Sequence, residues 1–73
     1  MFNPQLKTFV AVADCGSFNK AAEELYISPP SVMKQLNALE KHLELKLLTR
    51  TNQGIKLTAA GQVIYRYAKE VFE

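Results

Sequence analysis

Only three residues, Tyr26-Ile27-Ser28, separate two runs with helical periodicity. A gap that short admits nothing but a tight turn. Two short helices joined in this way form a helix-turn-helix. The first run is capped by Ser17 and carries Phe18, Ala21, Ala22 and Leu25 on one stripe. Its two alanines present little more than backbone, so another helix can approach closely. The second run follows Ser28, a good cap, and starts with Pro29 and Pro30, whose missing amides the first helical turn does not need. Val32, Leu36, Leu39 and Leu43 then recur at spacings of 4, 3 and 4 residues, which predicts a helix over residues 29–43. The opposite face carries Pro30, Lys34, Asn37 and Lys41, with Met33 on its flank.

The flanking segments complete the domain. Residues 3–14 read as a first helix, with Asn3 as cap, Pro4 at the first helical position and Leu6, Phe9, Val10 and Ala13 as the buried stripe. Gly16 stops it. After the third helix, Leu45 to Arg50 and Ile55 to Leu57 are short apolar-containing stretches around the turn signal Asn52-Gln53-Gly54, which predicts a small hairpin. Thr58 can cap a fourth helix, whose pattern still runs at Glu73, so the sequence reads as a piece cut within a longer helix. The expected fold is mainly α: a winged helix-turn-helix with a three-helix core, a two-stranded β wing and a C-terminal linker helix. Residues 1–58 form the domain, with the helix-turn-helix at about 18–37, and residues 59–73 start the linker or dimerisation helix.

Composition narrows the function. With 73 residues there is room for one domain, which buries only about 60% of its unfolded surface. The single cysteine, Cys15, cannot make an internal disulfide, which excludes a stapled secreted scaffold and suits a reducing compartment. There is no transmembrane-length apolar run and no signal peptide, so the cytoplasm is the expected location and no membrane partner is expected. The net charge of +2 is unevenly placed: residues 29–56 carry five cations against Glu40 and Glu44, a net +3.

In a helix-turn-helix the start of the second helix enters the DNA major groove. Here that segment holds Pro29, Pro30, Met33, Lys34 and Asn37. Lys34 can reach guanine O6 and N7 or a phosphate, and Asn37 can pair with adenine, while Pro30 and Met33 offer apolar surface to a thymine methyl group. Ser17 and Asn19, beside free amides at a helix start, can hold a phosphate. The hairpin tip from Arg50 to Lys56, with Asn52 and Gln53, can lie along the backbone or minor groove.

The ordered set of residues resembles the N-terminal DNA-binding domain of LysR-type transcriptional regulators over essentially the whole chain. It comprises Leu6, Phe9 and Val10; Ser17-Phe18, Ala21-Ala22 and Leu25; Ser28, Pro30 and Ser31; Gln35-Leu36, Leu39-Glu40 and Leu43; Leu47, Arg50-Thr51, Leu57-Thr58 and Ala60-Gly61. The resemblance implies a bacterial regulator whose recognition helix meets an inverted-repeat operator, and it adds Ser28 and Ser31 to the expected DNA-binding set. It implies homodimers or higher homo-oligomers paired through the linker helix, and RNA polymerase as a further partner. It also implies a small-molecule effector bound by a C-terminal domain absent from this chain, with no cofactor in this domain. Several positions depart from the family pattern. Pro29 replaces a usual Gln and Met33 a usual Ser at the base-reading end, Glu44 replaces a common Gly, Leu48 a common Phe, and Asn52-Gln53 lacks a common Arg.

Other readings are weaker. His42 is expected at the surface near a helix end, where it suits the helix dipole. Cys15 is expected to be structural, and no metal site is expected. Glu23, Glu24 and Glu40 are expected to solubilise helix faces or to pair with Lys20 and Lys41. No catalytic constellation is present, so an enzyme is not expected. On the last helix, Val63, Ile64, Tyr67 and Val71, with Tyr65 and Phe72 beside them, make a stripe too wide for a small core, which marks a dimerisation surface. The alternative is a winged helix used only for protein interaction. Charge separates the two readings: a DNA-binding face needs Lys34, Lys41, Arg50 and Lys56 without an intervening carboxylate from Glu40 or Glu44.

Overall fold

A computed structural model describes residues 4–72, with the backbone alone at 71 and 72. The chain order is α1 (Pro4–Cys15), α2 (Phe18–Leu25), α3 (Pro29–Leu43), β1 (Leu48–Thr51), β2 (Gly54–Leu57) and α4 (Ala59–Phe72). This is the expected winged helix-turn-helix. α1, α2 and α3 pack on one another, and α4 and β2 close against α1. The core holds Phe9, Val12, Ala21, Ala22, Val32, Leu36, Leu39, Leu47 and Leu48, all buried. Thr8 is buried among them, and its hydroxyl donates to the Gln35 side-chain oxygen, tying α1 to α3.

The helix ends follow local chemistry. α1 runs one residue past its expected end, to Cys15, and the expected cap Asn3 lies outside the described residues. Gly16 then turns the chain at φ +68° and donates to the Val12 carbonyl at 2.8 Å. Ser17 accepts from the Lys20 amide and Ser28 from the Ser31 amide, each at 3.3 Å, so both expected caps form. α2 and α3 both end with a left-handed residue that is not glycine, Tyr26 at φ 59° and Glu44 at φ 56°. After α3 the Leu45 amide reaches the Glu40 carbonyl at 3.1 Å and the Glu44 amide the Lys41 carbonyl at 3.3 Å, the paired bonds of a Schellman ending. A side chain in this conformation crowds its own carbonyl. Glu44→Gly is therefore expected to stabilise the domain by about 1 kcal/mol, read as a higher melting temperature by circular dichroism.

The wing is shorter and later than expected. β1 starts at Leu48, not Leu45, because the preceding amides are already committed. Leu45 closes α3, and the Glu40 carboxylate accepts from the Leu47 amide at 2.8 Å and the Leu48 amide at 3.2 Å. The strands pair antiparallel, Leu48 with Leu57 through Thr51 with Gly54, so the loop is Asn52-Gln53 alone. The Thr51 hydroxyl donates to the Gly54 carbonyl at 3.1 Å and accepts from the Gln53 amide at 3.2 Å.

Glu40 corrects one expectation. It neither solubilises a face nor pairs with Lys41. Its side chain is only 14% exposed, and its ion pair is with Lys46 at 3.6 Å. Thr58 links the wing to α4: its amide donates to the Leu47 carbonyl at 3.0 Å, its hydroxyl donates to the Lys46 carbonyl, and it accepts from the Gly61 amide at 2.9 Å. Gly61 then lies against Leu47 so closely that an added Cβ would stand 2.1 Å from the Leu47 carbonyl oxygen. Further along α4, the Tyr65 hydroxyl donates to the Asp14 carboxylate, and Lys69 lies 3.7 Å from the same carboxylate. These contacts fix the direction in which α4 leaves the domain.

Candidate nucleic-acid interface

The start of α2, the first half of α3 and one side chain of β1 surround an open cleft of about 880 Å³. Each wall has a local cause. Ser17 is extended (φ −158°, ψ 135°), so the chain enters α2 with the residues Ser17 to Asn19 facing the cleft. The tight turn at Tyr26 brings α3 in at once, with Pro29 and Pro30 at its first two positions. Lys34 and Asn37 follow one and two turns further on, both exposed. Arg50 reaches over from β1.

Eight expected contact residues therefore share this cleft: Ser17, Asn19, Pro29, Pro30, Met33, Lys34, Asn37 and Arg50. Four others do not line it. Ser28 spends its hydroxyl on the α3 cap and lies 2.9 Å from the Ser31 hydroxyl. Asn52 and Gln53 sit at the exposed wing tip. Sequence reading missed Phe18 as a cleft residue, because its place on the α2 stripe marked it as core. It packs partly on the core, and its ring also lies 4.6 Å below the Arg50 guanidinium.

The electrostatics favour an anionic partner. The cleft lining has two cations, Lys34 and Arg50, and no carboxylate. A smaller, more enclosed groove continues from it towards the wing and does include Glu40. That carboxylate is turned to the Leu47 and Leu48 amides and to Lys46, so it is engaged within the fold. Lys41, Glu44 and Lys56 are exposed outside the cleft. The four cations named above therefore do not share one cleft, but no carboxylate separates the two that do.

His42 is exposed in the last turn of α3. Among the described residues, no three His, Cys, Asp or Glu side chains come together as a metal site. The Cys15 thiol donates to Glu24 at 3.2 Å. That hydrogen bond, then burial and the Glu24 charge, hold the thiol above its ordinary pKa. The thiolate is the nucleophile, so raising the pKa lowers reactivity near neutral pH. Glu24→Gln removes the charge and weakens the acceptor, which lowers the thiol pKa. Cys15 in that variant is expected to alkylate faster than wild type between pH 7 and 8, followed by iodoacetamide labelling.

On α4, Val63 and Tyr67 are 58% and 60% exposed, whereas Ile64 packs partly on the core and Ala68 is buried. The expected dimerisation stripe thus divides between an outer and an inner face. The Val71 side chain lies outside the described residues.

A three-helix core, a turn of three residues, a cationic cleft at the start of the third helix and a two-stranded wing define a winged helix-turn-helix module. The family model for the bacterial regulatory helix-turn-helix protein, lysR family, matches residues 4–62, and the chain belongs to that family. It is 46% identical over 67 residues to the HTH-type transcriptional regulator TfdT of Cupriavidus pinatubonensis (strain JMP 134 / LMG 1197), covering 92% of this chain and 29% of that protein. It is 40% identical to the nitrogen assimilation regulatory protein nac of Escherichia coli (strain K12), covering 92% of this chain and 22% of that protein. The chain spans less than a third of the length of these relatives. Among solved structures, the CbnR_DBD–DNA complex is 42% identical with a TM-score of 0.90, covering 99% of this chain and 83% of that one. The BenM_DBD/catB site 1 DNA complex is 38% identical with a TM-score of 0.92, covering 99% of this chain and 81% of that one.

Proposed function

We propose that this chain binds double-stranded DNA sequence-specifically, as the DNA-binding domain of a bacterial LysR-type transcriptional regulator, with α3 in the major groove of an inverted-repeat operator. The observation that carries this reading is the cleft itself. It presents Lys34 and Asn37, two base-reading side-chain types, beside Arg50 with no carboxylate in the lining. Solved relatives of the same fold were captured with DNA, and the relatives named above are regulators, so the role extended to this chain is not catalytic.

Pairing with a second copy is part of the proposal. The exposed Val63 and Tyr67 on α4 support it, because an apolar outer face beside a closed core suits a helix partner. A small-molecule effector would be bound outside residues 1–73, with no cofactor in this domain. RNA polymerase is a further proposed partner, and the cytoplasm the proposed location. No described helix is long and apolar enough to cross a membrane.

The test is binding to an inverted-repeat duplex and to a scrambled one across a salt series. Wild type is expected to prefer the repeat. Lys34→Ala is expected to weaken specific binding by about 1–3 kcal/mol if Lys34 pairs with a guanine edge. If it contacts only phosphate, both duplexes weaken alike and the salt slope falls by about one. Equal binding by Lys34→Ala and wild type would overturn the role of Lys34, and absence of binding at low salt would overturn the DNA-binding reading.

A further inference from the structure

We infer that the start of α3 reads a methyl group at C5 of a pyrimidine, whether thymine or 5-methylcytosine carries it, so that cytosine methylation within the operator strengthens binding. The inference rests on the proposed docking of α3 in the major groove and names the chemical group which that docking selects.

The start of a helix ordinarily offers free amides to an anion. The first turn of α3 has none to offer. Pro29 and Pro30, which lack an amide hydrogen, occupy its first two positions. The Ser31 amide donates to the Ser28 hydroxyl at 3.3 Å, and the Val32 amide donates to the Ser28 carbonyl at 3.2 Å. The Ser28 and Ser31 hydroxyls lie 2.9 Å apart, paired with each other, and neither residue lines the cleft. The cleft wall at this end is made by Pro29, Pro30 and Met33. A helical side chain leans back towards the N-terminus, so Met33 extends the surface of the two prolines. Its thioether donates nothing and accepts only weakly. The donors of the cleft belong to other residues, Asn19, Lys34, Asn37 and Arg50.

A base edge brought against this patch gives up water and meets no donor in return. The acceptors of guanine and adenine, and the amino donor of cytosine, are left unpaired there. A C5-methyl group has no hydrogen bond to lose and gains by leaving water. It is the apolar feature of the major-groove edges. 5-Methylcytosine carries the same methyl on the same ring carbon as thymine. The two bases differ at the neighbouring ring position, so a contact confined to the methyl treats them alike. Lys34 and Asn37 remain to serve the polar edges of adjacent pairs.

The test uses the 73-residue chain to enrich duplexes from a randomised pool. Each thymidine of the enriched half-site is replaced in turn by deoxyuridine, which lacks only the methyl group. Wild type is expected to have a position where this weakens binding roughly fourfold, the equivalent of one buried methylene-sized group. At that position the pair is then changed to cytosine–guanine, with and without the C5-methyl. The methylated duplex is expected to bind roughly fourfold tighter than the unmethylated one. In Met33→Ala both methyl effects are expected to fall towards onefold, with circular dichroism matching wild type. Binding with no deoxyuridine-sensitive position overturns the inference. Equal binding of the two cytosine duplexes shows that thymine is selected by something other than its methyl group, and overturns it too. Methyl effects undiminished in Met33→Ala overturn the assignment to the start of α3. Failure to enrich or bind any duplex at low salt overturns the DNA-binding reading, and this inference with it.

Discussion

Gly61→Ala is expected to remove most of the domain's stability at 25 °C. The new Cβ would stand 2.1 Å from the Leu47 carbonyl oxygen, far inside contact distance. The obstacle is backbone, not the end of a side chain that can swing away. The same carbonyl accepts the Thr58 amide at 3.0 Å, so moving it breaks the bond that joins the wing to α4. Overpacking typically costs about 1–3 kcal/mol, and a clash with backbone falls at the upper end or beyond. A core of this size supplies only about 3–5 kcal/mol. Urea titration followed by circular dichroism measures the loss, and an unchanged midpoint would contradict the close approach.

Glu40→Ala is expected to have the next largest effect, a destabilisation of about 3 kcal/mol. Hydrogen bonds to a charged group contribute about 1.5–3 kcal/mol each. Glu40 accepts two, from the amides of Leu47 and Leu48. Leu47 is fully buried, so its amide cannot turn to water when the carboxylate is removed. The ion pair to Lys46 adds little, because that lysine is 72% exposed. The melting temperature is expected to fall by roughly 10–20 °C in a domain of this size. Glu40→Gln keeps an accepting oxygen and is expected to lose less. Equal melting of wild type and Glu40→Ala would show that the two amides find other partners.

Glu40 also marks where the sequence stops being legible. α2 and α3 were readable to their ends because their causes are local: Ser17 and Ser28 cap within three residues, and the apolar stripes repeat at helical spacing. Seven of the eight cleft residues are legible because a turn of fixed length brings α2 and α3 together, whereas Arg50 arrives from β1. Leu45 to Leu47 do not extend the strand, because the Leu45 amide is claimed by the end of α3 and the Leu47 amide by the Glu40 side chain. A glutamate on a helix looks like surface whether or not its carboxylate folds back onto the following chain. The apolar stripe of α2 includes Phe18, and only the fold reveals that one face of its ring carries Arg50. The division of the α4 stripe between Ile64 and the pair Val63–Tyr67 likewise depends on where α1 lies, a contact far away in sequence.

That division sets how assembly relates to folding. The inner face of α4, with Ile64 and the buried Ala68, completes the core of its own chain, while Val63 and Tyr67 are left over. A copy paired through the outer face removes nothing from that core when it departs. Dilution should therefore separate two chains into intact folded monomers. Pairing would then add to stability by mass action without being required for the fold.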